Sequence, residues 1–368
     1  MKTWDAIIIG GGVIGLSLAR QLQIASLKVL VVEKHEPACE ATAAAGGMLA
    51  NCAPHTPHVL EPLANASAEM YPQFIRELER DSGESADLRG AGTIAWFERD
   101  ERPGCAASYR LSEAELSRME PLLRMREGAW FLPERSVDPR ALGRALIKAA
   151  RQAGVDFVTG SPATAVLIAD SRAAGVLTSH SIYRAGIVVN CAGAWAAKID
   201  PIQIPTRPVK GQMVCLVPHG DGPHLGPLIE HVVRTPAVYI IPRSDGRILL
   251  GATVEDAGFD KTVEPQTIQR LYHAAINAVP ALASMRIHDA WAGLRPGTPD
   301  NLPILGEASL PGYFAATGHY RDGILLAPVT THLMTQIITG CAPDFEVQEF
   351  SPLRFAGGGT TGAKLGTN

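Results

Sequence analysis

Asp5-Ala-Ile-Ile-Ile-Gly10-Gly-Gly-Val-Ile-Gly15, followed at Lys28 to Glu33 by Lys-Val-Leu-Val-Val-Glu, changes its hydrophobic period twice. The run from Asp5 to Ile9 shows no polar alternation, the pattern of a strand buried on both faces of a parallel sheet. Gly10, Gly12 and Gly15 break it. Val13, Ile14, Leu16, Leu18, Leu22 and Ile24 then recur at the spacings of a buried helix, and Lys28 to Glu33 reads as the next strand. The result is one βαβ unit with Gly-x-Gly-x-x-Gly at the strand-to-helix turn, where backbone N–H groups and the positive end of the helix can meet a pyrophosphate. Gly10 permits the turn, Gly12 the approach of the phosphates, and Gly15 the packing of helix on strand. Glu33 stands 33 − 15 = 18 residues past Gly15, where its carboxylate can accept from both hydroxyls of a ribose. The motif alone leaves FAD and NAD open.

Working outward, Asp138 and Pro139 open a helix that Gly154 closes, with Leu142, Ala145, Leu146 and Ala149 on its apolar stripe. Val155 to Val158 and Ala185 to Asn190 continue the strands of the same sheet. Residues 206–290 have another texture: Gln212 to Val217, Ala237 to Ile241 and Arg247 to Gly251 are strand-like, and Ser244-Asp-Gly246 is a hairpin turn. A helix is expected over Pro265 to Val279, a buried strand at Tyr313 to Thr317, and a last helix from about Gly323 to Ile338. The fold class expected is α/β with an α+β substrate part: a Rossmann-like dinucleotide domain and an antiparallel-sheet domain. The first is assigned residues 1–85, 135–205 and 290–355, the second 86–134 and 206–289, and 356–368 a disordered tail.

Composition narrows the function. A length of 368 residues suits two domains at roughly 100–200 residues each. Hydrophobic residues are 46% and charged residues 19%, enough apolar content for large cores. With 33 Lys+Arg against 37 Asp+Glu, there is no basic excess to displace counterions from a nucleic acid. The six cysteines are scattered, with no C-x-x-C pair, so neither a metal site nor a dense disulfide framework is expected, and a reducing cytoplasm is the expected compartment. No uncharged run reaches the 18 or so residues of a membrane span. The glycines from Gly10 to Gly15 interrupt what could otherwise pass for a secretory signal.

Six segments carry a resemblance over nearly the whole chain: Ile7-Ile-Ile-Gly-Gly-Gly12, Thr42-Ala-Ala-Ala-Gly-Gly-Met48, Val189-Asn-Cys-Ala-Gly-Ala-Trp195, Val238-Tyr-Ile-Ile-Pro-Arg243, Trp291-Ala-Gly-Leu-Arg-Pro-Gly297 and Thr317-Gly-His-Tyr-Arg-Asp-Gly-Ile-Leu-Leu-Ala-Pro328. With them the sequence resembles the D-amino acid oxidase superfamily of flavoproteins, and within it the glycine oxidase branch, which supplies a glycine-derived imine for thiamine thiazole synthesis. The resemblance implies FAD held on Gly10, Gly12, Val13, Ile14, Gly15, Glu33, Lys34, Thr42, Ala43, Gly47, Met48, Gly193, Arg321, Gly323, Ile324 and Leu325. It implies Arg295, Tyr239 and Arg321 at the substrate, Met48 and Val254 as pocket walls, dioxygen as electron acceptor, and often a homotetramer. Relatives often carry methionine where Val254 stands, so a wider pocket is expected. Residues 300–322 hold no cysteine of the kind that tethers flavin in the monomeric sarcosine oxidases, so the FAD is expected to be non-covalent.

Arg295 also stands out on physical grounds. It lies among small and apolar residues, where a guanidinium needs a partner, and its planar fork suits an α-carboxylate. A structural ion pair with a protein carboxylate such as Asp300 is the competing account. Tyr239 competes as a core residue with a hydroxyl at the rim, Arg321 as a surface charge, and Met48 and Val254 as ordinary packing. His319 is expected to be a satisfied structural histidine. The activity expected is oxidation of glycine or another small amine to its imine, with peroxide from dioxygen and with glyoxylate and ammonia from glycine. The alternatives are a flavin dehydrogenase, an oxidase of sarcosine, D-amino acids or an N-substituted glycine, an inactive flavin-binding subunit and, last, an NAD dehydrogenase.

Overall fold

The computed structural model describes residues 3–54, 56–98, 101–125, 127–219 and 227–355; the expected disordered tail lies outside them. A six-stranded sheet runs in the order Ile304–Glu307, Tyr313–Thr317, Ile187–Asn190, Ala6–Ile9, Val29–Val32, Asp156–Val158. All its neighbours are parallel except the first pair. Ala6–Ile9 lies at its centre, fully buried, because alternate residues face two different layers. Ala6 and Ile8 pack on the helices Val13–Ile24, Glu61–Ser82 and Pro139–Gln152. Ile7 and Ile9 pack with Val166, Ala173 and Val176 of a three-stranded antiparallel meander over residues 163–183. The Pro139–Gln152 helix begins as its sequence requires, with the Asp138 carboxylate accepting from the N–H groups of Arg140 and Ala141 at 2.8 and 3.3 Å.

An eight-stranded sheet forms the second body, in the order Met285–Gly297, Arg207–Pro218, Ile248–Gly251, Tyr239–Pro242, Val232–Arg234, Thr93–Ala95, Trp130–Leu132, Tyr109–Arg110. Its period of two separates two environments. Val214, Leu216, Ile240 and Leu250 face a core shared with the Pro265–Ala278 helix. Met213, Cys215, Ile241 and Leu249 face the other way and meet Met48, Tyr239 and Trp291. Gly293 and Arg295 follow Trp291 at even spacing, so they share that second face. The expected hairpin turns at Ser244 to Gly246, closed by Arg243 N–H to Arg247 O at 2.9 Å.

Four features differ from the sequence expectation. The last helix is Ala327–Thr339, and Gly323 to Leu326 form a turn before it: Pro328 has no N–H to give the Ile324 carbonyl, and the Val329 N–H goes to Ser67 Oγ, so Tyr71 and Ser67 take the Ile324 and Leu325 carbonyls instead. The Glu61–Ser82 helix was not foreseen: it tolerates Pro72 and buries Leu63, Ser67, Tyr71, Ile75 and Leu78 along one stripe. The strand Met285–Gly297 runs through the boundary drawn at 290, since it pairs along its whole length with Arg207–Pro218. Cys52 and Cys105 form a disulfide, their segments also joined by the Gly104 N–H to the Cys52 carbonyl at 3.1 Å.

Candidate functional site

The glycine turn is built for an anion. Gly10 has φ +103°, and a Cβ there would lie 2.5 Å from the Cys191 carbonyl oxygen. A Cβ on Gly15 would lie 2.0 Å from the Gly10 oxygen, so the helix sits on the strand only because no side chain intervenes. Beside Gly12 the space is open, with Thr42 Oγ1 the nearest atom at 3.5 Å. Gly12 caps the Val13–Ile24 helix without a side-chain hydrogen bond, and no acidic residue occupies the first turn. The helix end therefore presents its positive field and backbone donors to an external group. Glu33 is buried, its carboxylate accepting from the N–H groups of Gly11 and His35 at 2.7 and 2.9 Å, and Thr42 Oγ1 accepts from Val13 at 2.9 Å. A strand-end carboxylate beside a helix end whose first N–H goes to Thr42 and whose first turn holds no acid fits a dinucleotide.

The remaining cofactor candidates line a path away from this turn. Lys34 bonds Glu40 Oε1 at 2.9 Å and stacks over Trp195, two residues after Gly193. The Ala43 carbonyl accepts from Arg140 Nε at 3.4 Å. Gly47 is left-handed and exchanges a hydrogen bond with Val137, its carbonyl accepting from the Val137 N–H at 2.8 Å. Ile324 and Leu325 are buried, and their carbonyls accept from Tyr71 Oη at 2.8 Å and Ser67 Oγ at 2.6 Å. Sequence reasoning missed Ser67 and Tyr71; their spacing of four on one helix face was the available signal. It also missed Arg243, whose fully buried guanidinium donates from Nη2 to the Gly46 carbonyl at 2.6 Å, one residue before Gly47.

Of the substrate candidates, Met48, Tyr239 and Arg295 lie at the second face of the eight-stranded sheet, while Arg321 and Val254 lie in loops. Met48, Tyr239 and Trp291 pack together, and the Trp291 Nε1–H bonds the Ala44 carbonyl at 3.1 Å. Arg295 lies flat on Gly211, where a Cβ would be 2.3 Å from its Nη1. Nη1 donates to the carbonyls of Lys210 at 3.3 Å and Thr253 at 3.0 Å. Nε and Nη2 have no hydrogen-bond partner among the described residues, and a carboxylate is the group that such a fork grips with two parallel bonds. Burial, and after it the charge of Arg321, push Arg295 below its ordinary pKa, while Tyr320, Tyr239 and Glu255 act in the opposite direction. No carboxylate lies at ion-pair distance from either guanidinium among the described residues. Asp300, the competing partner, is held by Arg354 in two bonds of 2.8 and 3.1 Å.

Arg321 is exposed and stacks over Tyr320, which takes a left-handed φ of +49°. Val254 is 52% exposed between Thr253 and Glu255. His319 is buried, with Nε2 3.0 Å from Thr330 Oγ1, and burial pushes it down to about 3, so it stays neutral. Asp322 is raised to about 6 by burial against the opposing pull of Arg321. The described residues hold no cluster of His, Cys, Asp or Glu able to bind a metal, and none of their helices is long and apolar enough to cross a membrane.

A glycine turn fit for a dinucleotide, and a sheet face bearing an arginine with no acidic partner among the described residues, suit a flavin-dependent oxidoreductase. The chain belongs to the FAD dependent oxidoreductase family, which matches residues 5–337. It is 36% identical to the bifunctional protein ThiO/ThiG of Trichormus variabilis over 96% of this chain and 55% of that one, so the chain spans about half the length of that relative. It is 33% identical to the hydrogen cyanide synthase subunit HcnC of Pseudomonas aeruginosa, over 96% of this chain and 97% of that one. The crystal structure of glycine oxidase from Geobacillus kaustophilus matches with a TM-score of 0.87 at 30% identity, covering 96% of this chain and 99% of that one. The cofactor is FAD.

Proposed function

We propose that the protein oxidises glycine, or an amino acid close to it in size, to the imine, with dioxygen reduced to hydrogen peroxide. The observation that carries this reading is Arg295: a largely buried guanidinium, beside a second one, with backbone carbonyls on Nη1 and no acidic partner. Arginine does not shed its proton in proteins, so such a site is completed by an anion from outside. The amino acid's carboxylate would lie on the Nε and Nη2 edge, with the Tyr239 hydroxyl donating to it and Arg321 adding attraction. Met48 and Val254 would bound the side-chain space. Gly10, Gly12, Gly15 and Glu33 would hold the FAD phosphates and ribose, and Gly47, Met48 and Gly323 to Leu325 would border its ring.

FAD, when bound, accepts the hydride from Cα and passes the electrons on to dioxygen. The protein's own part is to orient Cα and to exclude water; no side-chain base is needed, because the neutral amine's lone pair forms the imine as the hydride leaves. Glycine, dioxygen and water would give glyoxylate, ammonia and hydrogen peroxide. The relative fused to ThiG supports a further step in the reading, delivery of the imine to thiazole formation for thiamine. Residues 1–85, 135–205 and 298–355 would form the FAD part and 86–134 with 206–297 the substrate part, the Met285–Gly297 strand going whole with its sheet.

The exposure of Val254 favours a second reading, an N-substituted glycine such as sarcosine as the better substrate. A panel of glycine, sarcosine and D-amino acids, with peroxide measured under air and dye reduction under nitrogen, separates the substrates and distinguishes oxidase from dehydrogenase. The reading expects peroxide from at least one small amino acid and a steep rise in its KM in Arg295→Ala. Turnover of none of them, or an unchanged kcat/KM in that variant, would overturn it.

A further inference from the structure

We infer that Glu255 is a positioning residue for Arg295, acting through the backbone that holds the guanidinium and through Lys210, which keeps the Glu255 charge away from it. The inference rests on the reading of Arg295 as a carboxylate receptor. The two carbonyls that accept from Arg295 Nη1 belong to Lys210 and Thr253, which are 253 − 210 = 43 residues apart in sequence. They are brought together by a single bridge in which Lys210 and Glu255 exchange both backbone hydrogen bonds, each 2.9 Å. The Lys210 carbonyl thus receives the Glu255 N–H and the Arg295 Nη1 together. If the bridge moves, the open edge of Arg295 turns with it.

A partly buried polar network fastens that bridge. The Glu255 carboxylate accepts from Gln212 Nε2 at 2.9 and 3.2 Å and from the Thr253 hydroxyl, and lies 3.5 Å from Lys210 Nζ. Thr253 Oγ1 in turn accepts from the Gln212 N–H at 2.9 Å, and Gln212 Oε1 accepts from the Glu264 N–H at 2.8 Å. Lys210 and Gln212 are only 1% and 0% exposed. Every member has a partner, the condition under which such a network fixes one geometry. Burial opposes ionisation of Glu255, but the bonds from Thr253 and Gln212 and the Lys210 charge hold its carboxyl below the ordinary value.

The same arrangement explains why Arg295 keeps a free edge. Glu255 is the carboxylate whose charge Arg295 feels, yet it forms its ion pair with Lys210. Lys210 is therefore what stops the nearby acid from quenching the receptor, and Glu255, with Asp260 at 3.9 Å, is what makes a buried Lys210 tolerable.

The test titrates the FAD-loaded enzyme with acetate, followed by the flavin absorption band, and measures glycine kinetics, for wild type, Glu255→Gln, Thr253→Val, Arg295→Ala and Glu255→Gln with Arg295→Ala. Expected for Glu255→Gln and Thr253→Val are acetate Kd and glycine KM raised about 10-fold, with kcat and bound flavin little changed. In the Arg295→Ala background the Glu255 change should add nothing, since the two act as one unit. Wild-type acetate affinity in Thr253→Val, and in Glu255→Gln where it folds, beside a loss in Arg295→Ala, would overturn the positioning role and leave the proposed function intact. Unchanged acetate binding in Arg295→Ala would overturn both.

Discussion

Arg234 and Arg295 stand on the same eight-stranded sheet, and both are largely removed from solvent, but only Arg234 has an acid of the protein on it. Arg234 is 7% exposed and bonds Glu134 Oε2 at 2.6 Å, and Glu134 is 2% exposed and also accepts from the Cys52 N–H at 3.2 Å. Arg295 has carbonyl acceptors on one nitrogen, a neighbouring Arg321, and no acid within reach among the described residues. The first is an internal pair that holds the Val232–Arg234 strand to the segment after Trp130–Leu132. On the proposed reading, the second is half of a pair. Burial by itself therefore says little about role; what decides is whether the opposite charge is supplied from within.

The sharpest way to break this contrast is to remove the acid from the finished pair. Glu134→Ala strands a buried guanidinium and is expected to cost about 3–5 kcal/mol of folding stability, read by denaturant unfolding. Arg295→Ala should behave in the opposite sense: unfolding midpoint unchanged or raised, with kcat/KM for the amino acid lowered by a factor of about 100 to 1,000, or about 3–4 kcal/mol. Equal destabilisation by both changes would erase the distinction.

A smaller effect probes what lies beside the receptor. Val254→Met should narrow the pocket and shift the ratio of glycine to sarcosine kcat/KM toward glycine by about 10-fold, within the 1–3 kcal/mol that one methylene contributes to discrimination. An unchanged ratio would place Val254 outside the pocket.

The smallest expected effects come from buried groups that, unlike arginine, can discard their charge. His319 lies near 3, below its ordinary value, so between about 6.5 and 3 the unfolded chain binds more protons. Its contribution is complete above 6.5 and is lost as pH falls, and His319→Gln should flatten the acid limb of Tm against pH. Asp322 lies near 6, above its ordinary value, so the folded chain binds more protons between 3.8 and about 6. That contribution is complete below 3.8 and lost as pH rises through 6. Asp322→Asn should raise Tm relative to wild type at pH 8 more than at pH 4; a uniform shift across pH would argue against a buried acid.

The legible parts of the molecule were those written locally. Ala6 to Glu33 carries its strand, turn and helix in adjacent residues, and Arg295 announces itself as a charge in an apolar, glycine-rich strand. What escaped depends on distant pairing. Ser67 and Tyr71 act on carbonyls 258 and 253 residues away. Cys52 and Cys105 are joined across 53 residues with no spacing motif to mark them. Asp300 looked available to Arg295, and only the fold shows that the chain returns at Arg354 to claim it. The start of the last helix was misplaced because Gly323 to Leu326 has helical composition, while Tyr71 and Ser67 draw its carbonyls into a separate turn.

The most direct test of the account is binding of acetate to the FAD-loaded protein, wild type beside Arg295→Ala, monitored by the flavin absorption spectrum. A saturable change in the wild type that is absent from the variant, with both proteins folded and yellow, is the expected result. Equal acetate affinity in the two would mean that the open edge of Arg295 is not where the carboxylate goes, and the proposed function would lose its foundation.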